Sequence, residues 1–265
     1  MGLPLFPITE DPGSNFMALL TKTGAALPKF EASDEFSFRH GTTVVAIKYD
    51  GGVIMAGDRR ATSGHSIANR AVEKVYPADR HSAIAIAGSA ALAMEMVALF
   101  QVQLEHYEKV EGVSISLEGK ANQLSQMVRA NMPLAMQSFV VIPLFCGYDL
   151  ARGVGRIFDF DALGGRYEET DFACVGSGSV HAKATLKAGF RPILSETTAV
   201  DLVVASLYDA ADEDTATGGP DPLRGIYPIV AAVDVNGFRT LTEAEVAARF
   251  ENVIAQRQAQ REVQS

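Results

Sequence analysis

From Gly41 onward the hydrophobic positions fall into short dense runs and longer periodic stretches. TTVVAIKYDGGVIMAGD (42–58) is apolar or β-branched at most positions on either side of Asp50-Gly51-Gly52. That pattern predicts a hairpin whose strands are covered on both faces. SAIAIAG (82–88) is another buried run, closed by Gly88. From Ser89 to Glu111 the apolar residues return at helical spacing, with Leu92, Met96, Leu99, Phe100 and Leu104 on one side. A second helical stretch, 116 to about 139, turns Leu117, Leu124, Met127 and Val128 to one face. Strands are predicted at 140–149, 154–161 and 166–175, the last two joined by a turn at Leu163-Gly164-Gly165. Helices follow at about 178–189 and 197–212, then a strand region at 226–235 that turns at Asn236-Gly237. A last amphipathic helix (EAEVAARFENVI) fades into a glutamine-rich tail.

Paired helices between hairpin-linked strands do not give the βαβα alternation of a doubly wound sheet. They suit an α+β fold: two antiparallel sheets face to face, with helix layers outside. Residues 1–35 differ, mixing Pro, Gly, Ser and acidic residues without a sustained period. A boundary therefore falls at Gly41–Thr42, and residues 42–265 read as one domain.

Composition narrows the function classes. The chain has 265 residues, 48% hydrophobic and 21% charged, in keeping with a soluble globular protein. A net charge of −9 argues against a general binder of nucleic acid or anionic membranes, since both need a basic surface. No run of 18 apolar residues is present to span a membrane, and the N-terminus lacks a basic region and an apolar run of signal length. Met1-Gly2 is followed by Phe6 where a myristoylation pattern wants Ser or Thr. The expectation is a cytoplasmic protein. Cys146 and Cys174, both in apolar surroundings, read as two free thiols.

The common catalytic motifs are missing: there is no GxSxG, HExxH, P-loop or CxxC. Histidines at 40, 65, 81, 106 and 181 have no metal-ligand spacing, so neither a metal nor a cofactor is expected. Thr42 offers another chemistry. A threonine hydroxyl is a weak nucleophile and needs an adjacent base. A cut before Thr42 would supply one as the new α-amine, whose pKa of about 7.7–8.0 leaves much of it neutral near pH 7. Gly41, lacking a Cβ, would let the backbone take the strained turn in which Thr42 Oγ1 attacks the preceding carbonyl. On those two residues alone, the favoured reading is the plainer one, a glycine ending an arm ahead of a strand.

The wider pattern adds to this. GTTVVAIKYDGGVIMAGDRRATSG (41–64), KVY (74–76), IAIAGSAA (84–91), VGSGS (175–179) and DEDTATGGPD (212–221) stand in an order and spacing that resemble the β subunit of the 20S proteasome. The form closest in kind is the bacterial, actinobacterial one, and the resemblance covers nearly all of residues 42–265. It implies the four-layer αββα sandwich of the N-terminal-nucleophile hydrolases, with helix pairs flanking two antiparallel sheets. It also implies a threonine endopeptidase whose first 41 residues are a prosegment removed by self-cleavage between Gly41 and Thr42.

Residue by residue, the resemblance makes Thr42 the nucleophile, with Asp58 (in AGDRR) and Lys74 (in EKVY) the acid and the lysine beside it. Gly88 takes the position whose N–H faces the developing oxyanion. Ser177 and Asp214 match the pair that holds the terminal amine. Thr217 stands where the family often has serine, so its hydroxyl is retained. Thr62 and Ala90 are implied to hold the peptide through backbone groups, as an added strand. The first specificity pocket matches Ala61, Val72, Lys74, Ile86 and Ala90, which are small or aliphatic apart from the lysine stem. With no acid among them, the pocket is expected to take apolar residues.

The implied assembly is a ring of seven β subunits stacked on a second and capped at each end by seven α subunits, about 28 subunits in all. A regulatory ATPase ring would feed it unfolded proteins. The methionines at 94, 96, 127, 132 and 136 exceed what one buried helix stripe needs, which suggests a second apolar face used between subunits. Two other readings remain: an inactive ring-scaffold β subunit, and the simpler bacterial relative of the proteasome. The retained Thr42, Asp58 and Lys74 count against the first, and chain length and the long prosegment against the second.

Overall fold

The computed structural model describes residues 41–63 and 66–264, so the expected prosegment up to residue 40, and with it His40 and His65, lie outside the described residues. Twelve strands are described. The first sheet runs in the order β10 (Phe172–Gly176), β1 (Thr43–Tyr49), β2 (Gly52–Gly57), β11 (Ile229–Asp234), β12 (Gly237–Thr240). The second runs β5 (Val75–Asp79), β6 (Ser82–Gly88), β7 (Val141–Asp149), β8 (Val154–Phe160), β9 (Arg166–Glu169). All neighbours are antiparallel. A separate short hairpin joins β3 (Ala61–Ser63) and β4 (Ser66–Asn69).

Side-chain alternation explains the layering. In β1, Val44 and Ala46 point between the sheets, while Val45 and Ile47 point to the opposite face. The core between the sheets is rich in alanine, including Ala83, Ala85, Ala173 and Ala231, which lets the two backbones approach closely. The outer face of the first sheet is covered by α4 (Ser179–Gly189), α5 (Glu196–Glu213) and α6 (Glu243–Gln264). The outer face of the second packs Ile84, Phe145 and Phe158 beneath α1 (Ala90–Glu111) and α2 (Leu117–Ala130). The result is the expected αββα sandwich, with three helices rather than a pair on the first sheet.

Local chemistry sets the element ends. Gly112 closes α1 in a left-handed conformation at φ 70°. Ser116 caps α2 by accepting from the Gly119 N–H at 3.1 Å, and Ser195 caps α5 by accepting from Thr198 at 3.2 Å.

Several sequence expectations need correction. The stretch 166–175 is two strands, not one. β9 belongs to the second sheet and β10 to the first, with Thr170 and Asp171 crossing between them. The second helix stops at Ala130, and only a short α3 (Met132–Ala135) follows. Pro133 lacks the N–H and its ring opposes the carbonyl four residues back, so the longer helix cannot continue. The glutamine-rich tail remains helical to Gln264, in line with the high helix propensity of Ala, Gln, Arg and Glu. The strand in 226–235 is confined to Ile229–Asp234. Leu99, expected on the buried stripe of α1, is 49% exposed. Four strands, β3, β4, β5 and β12, were not expected; β4 is exposed along its whole length and carries no apolar alternation. Cys146 and Cys174 are free, the first buried and the second partly so.

Candidate active site

Five chain segments converge at one end of the sandwich. Thr42 enters β1 of the first sheet, and Asp58 leaves β2 beside it, its N–H bonded to the Thr43 carbonyl at 3.1 Å. Lys74 leads into β5 of the second sheet, with its carbonyl accepting from the Ile86 N–H at 3.2 Å. Ser177 follows β10 and donates its N–H to the Thr42 carbonyl at 2.9 Å. The turn after α5 brings Asp214 and Thr217.

Asp58 is fully buried and all its bonding capacity is used. Oδ1 accepts from the Thr43 N–H at 2.8 Å and from Lys74 Nζ at 2.7 Å. Oδ2 accepts from the N–H groups of Arg60 and Gly218, both at 2.8 Å. Four donors give this carboxylate the hydrogen bonds that burial away from water demands. Lys74, 6% exposed, gives its three protons to Asp58, to the Arg60 carbonyl at 2.6 Å and to the Gly41 carbonyl at 3.3 Å. Burial holds its pKa below the usual lysine value, an effect only partly offset by the charge and hydrogen bond of Asp58.

The Gly41 carbonyl is where these groups meet. Thr42 Oγ1 donates to it at 2.8 Å, beside the Lys74 bond. The glycine is needed for space: a Cβ at position 41 would lie 1.9 Å from Ala216 Cβ. This close approach is one reason the surroundings of position 41 suit glycine. Gly88 lines the same cleft, but no hydrogen bond from its N–H to the Gly41 carbonyl is among those described. Its φ of 119°, with a hypothetical Cβ 2.1 Å from the Val140 carbonyl oxygen, leaves glycine as the residue for that bend.

A second polar chain lies behind Thr42. Asp214 Oδ2 accepts from Ser177 Oγ at 2.5 Å and from Thr217 Oγ1 at 2.6 Å. Thr217 Oγ1 is also 2.6 Å from Thr43 Oγ1, which accepts from the Gly178 N–H at 3.0 Å. Burial pushes the Asp214 carboxyl up, but the Ser177 and Thr217 hydroxyls and the Ala216 N–H outweigh it and hold the pKa below the ordinary value. Threonine at 217 keeps the hydrogen bond that a serine would make.

A family model described as a proteasome subunit matches residues 38–221. A proteasome subunit beta from Acidimicrobium ferrooxidans is 54% identical over 98% of this chain and 97% of its own length. The chain belongs to the proteasome subunit family. A proteasome subunit beta of Acidothermus cellulolyticus is 58% identical, covering 83% of this chain and 77% of its own. The Streptomyces griseus protein of the same name is 54% identical, over 82% and 78%.

Against that family background, Ala61, Val72, Lys74, Ile86 and Ala90 all line one cleft with Thr42 and Gly88. The expectation of an acid-free pocket needs amending, since Glu73 also lines it, exposed at the rim. Thr62 contributes its hydroxyl as well, accepting from the Gly41 N–H at 3.3 Å. Sequence reasoning missed Arg60, Thr43, Gly218 and Ala216. Three of them act through main-chain atoms, for which residue type gives no signal; only the second threonine of GTT offered one. Among the described residues, no cluster of three or more His, Cys, Asp or Glu is arranged to hold a metal, and no helix is long and apolar enough to cross a membrane.

Proposed function

We propose that this chain is a catalytic β subunit of a 20S proteasome core particle: a threonine-type endopeptidase made as a precursor, with residues 1–41 the prosegment and 42–265 the mature domain. The observation that carries the reading is the pairing at one carbonyl, with Thr42 Oγ1 at 2.8 Å and Lys74 Nζ at 3.3 Å from the Gly41 oxygen. A hydroxyl and a buried cation at the same scissile group are what attack and charge stabilisation need.

Self-cleavage frees the Thr42 amine, which Ser177 and Asp214 hold and which then takes and returns the hydroxyl proton. Substrate hydrolysis passes through an acyl-enzyme on Thr42, with the Gly88 N–H facing the oxyanion. The peptide lies as an added strand on main-chain groups of Thr62 and Ala90. The aliphatic wall of Val72, Ile86 and Ala90 favours Leu, Phe or Tyr at the cleaved bond; Glu73, being exposed, is screened by solvent.

The proposed setting is the cytoplasm, in a particle with α subunits, further β subunits and an ATPase ring that admits unfolded proteins. Met94, Leu99, Val102 and Val110 of α1, together with Met136, are large apolar groups that remain exposed, and neighbouring subunits would cover them. The test is the N-terminal mass of the chain after co-assembly with its α partner. A start at Thr42 is expected, with Thr42→Ala remaining uncut and inactive on peptides. Assembled particles of uncut wild-type chain would instead favour an inactive scaffold.

A further inference from the structure

A second cavity, of about 330 Å³, lies beside the Thr42 cleft and shares only Arg60 with it. Three arginines, Arg59, Arg60 and Arg70, line it against one acid, Asp221. In a chain of net charge −9 that local excess of positive charge runs against the trend. Asp221 is engaged elsewhere, its Oδ2 accepting from Arg224 Nη1 at 2.5 Å.

The arginines are weakly matched. Arg59 Nη1 reaches Glu243 at 3.4 Å, an acid whose side chain is 71% exposed, and Nη2 donates to the Ala71 carbonyl at 3.2 Å. Its Nε is buried and meets no acceptor among the described residues. Arg60 Nη1 donates to the Thr215 carbonyl at 2.9 Å, a dipole and not a charge. Arg70 is exposed and acts on Asp221 more weakly than Arg224 does.

The rest of the lining is largely apolar and held in place. Pro220, Pro222 and Pro228 fix their own φ, and Asp221 and Ile226 exchange main-chain hydrogen bonds of 2.8 and 3.0 Å. The Tyr227 ring packs on Phe250 with 6.2 Å between centres. Such a wall needs little ordering before a ligand binds.

Cations beside apolar surface suit a carboxylate carried on an apolar group, since a guanidinium meets a carboxylate through paired N–H donors. The proposed reaction makes such a ligand. Water adds to the acyl carbon on Thr42, its proton goes to Oγ1, and the acyl half leaves as an acid that ionises near neutral pH. That half ends in the Leu, Phe or Tyr that the cleft favours.

We propose that this cavity is a carboxylate site, which holds the free C-terminal end of short peptides whose last residue is apolar. That these peptides are products rests on the endopeptidase reading; the preference for a carboxylate does not.

The test uses the full chain with Thr42→Ala, assembled with its α partner so that the probe is not cut. A dye-labelled tripeptide ending in Leu is titrated as its free acid and as its amide, and fluorescence anisotropy reports binding. The acid should bind at least about tenfold more tightly, the scale of a hydrogen bond to a charged group. Arg70→Ala, at an exposed position, should remove most of that advantage and leave the amide unchanged, and Arg59→Gln should do the same. In particles that keep Thr42, Arg70→Ala should hold turnover of a fluorogenic peptide within about twofold. Equal binding of acid and amide, or an advantage that survives both substitutions, would overturn the site. So would inorganic phosphate displacing the acid at equal concentration, which would assign the cavity to small anions. A large loss of turnover in Arg70→Ala would place Arg70 in the Thr42 cleft and also overturn it. Wild-type particles without turnover would overturn the endopeptidase reading alone, because binding of acid over amide that needs Arg70 would still establish the carboxylate site.

Discussion

Two buried cations in this chain have opposite surroundings. Arg156 of β8, 3% exposed, is met by Glu168 through two bonds of 2.8 and 2.6 Å, by Asp149 at 3.1 Å and by Glu118 at 3.2 Å. Its guanidinium also lies 4.9 Å from the centre of the Phe158 ring. The Glu168 hydrogen bonds above all raise its pKa, so the charge is locked in. Lys74 is as deeply buried but faces one carboxylate and two carbonyls, and burial lowers its pKa. A buried charge by itself therefore does not mark chemistry. What sets Lys74 apart is a single close carboxylate and a main-chain carbonyl that also meets a hydroxyl, the kind of setting the proposed chemistry would need.

Substitution should separate the two. Lys74→Ala is expected to lower peptide turnover at least about hundredfold, the scale of losing a donor at a developing oxyanion. The fold should survive, because Asp58 keeps three N–H partners, which a melting curve of the same sample would show. A variant retaining a tenth of wild-type turnover would remove Lys74 from the mechanism. Arg156→Met should do the reverse, costing about 1–3 kcal/mol of unfolding free energy in a urea titration while turnover per assembled site is unchanged.

The pH profile sharpens the contrast. Because the folded pKa of Lys74 lies below its ordinary 10.5, it loses its proton before an exposed lysine would. Turnover should decline on the alkaline side with a midpoint below 10.5, and Asp58→Asn should pull that midpoint lower by removing the charge that opposes burial. The same sign applies to stability: burying charged Lys74 costs free energy at neutral pH, and that cost fades as pH rises through the lowered pKa. A limb at or above 10.5 would contradict this. The smallest effect belongs to Lys109, whose pair with Glu105 at 2.5 Å is exposed on both sides. Lys109→Ala should leave both melting and turnover unmoved.

The sequence made the layers readable because strands such as β1 alternate between two buried faces, and because α1 and α2 repeat at helical spacing. The grouping of Thr42, Asp58 and Lys74 was legible through motif order, and the structure brings the three together at one carbonyl and one ion pair. The crossing at Thr170–Asp171 was not legible. RYEETDFACVG keeps strand-like composition throughout, and a period of two does not say which sheet each half joins. Ala216 was invisible for another reason: it meets the site through close approach to Gly41 and a main-chain N–H on Asp214, and residue type signals neither.

The crossing has a mechanical side. Packed sheets stand about 10 Å apart, and the three steps from Glu169 to Phe172 span at most about 11 Å at full extension. The strap therefore has little slack. Thr42, Asp58 and Ser177 ride on the first sheet, while Lys74 and Gly88 ride on the second. Sliding one sheet over the other would shear the 2.7 Å bond between Lys74 and Asp58 before it disturbed most of the core. A short tether between the layers limits that travel, and so works as an alignment stop for a site divided between two sliding plates.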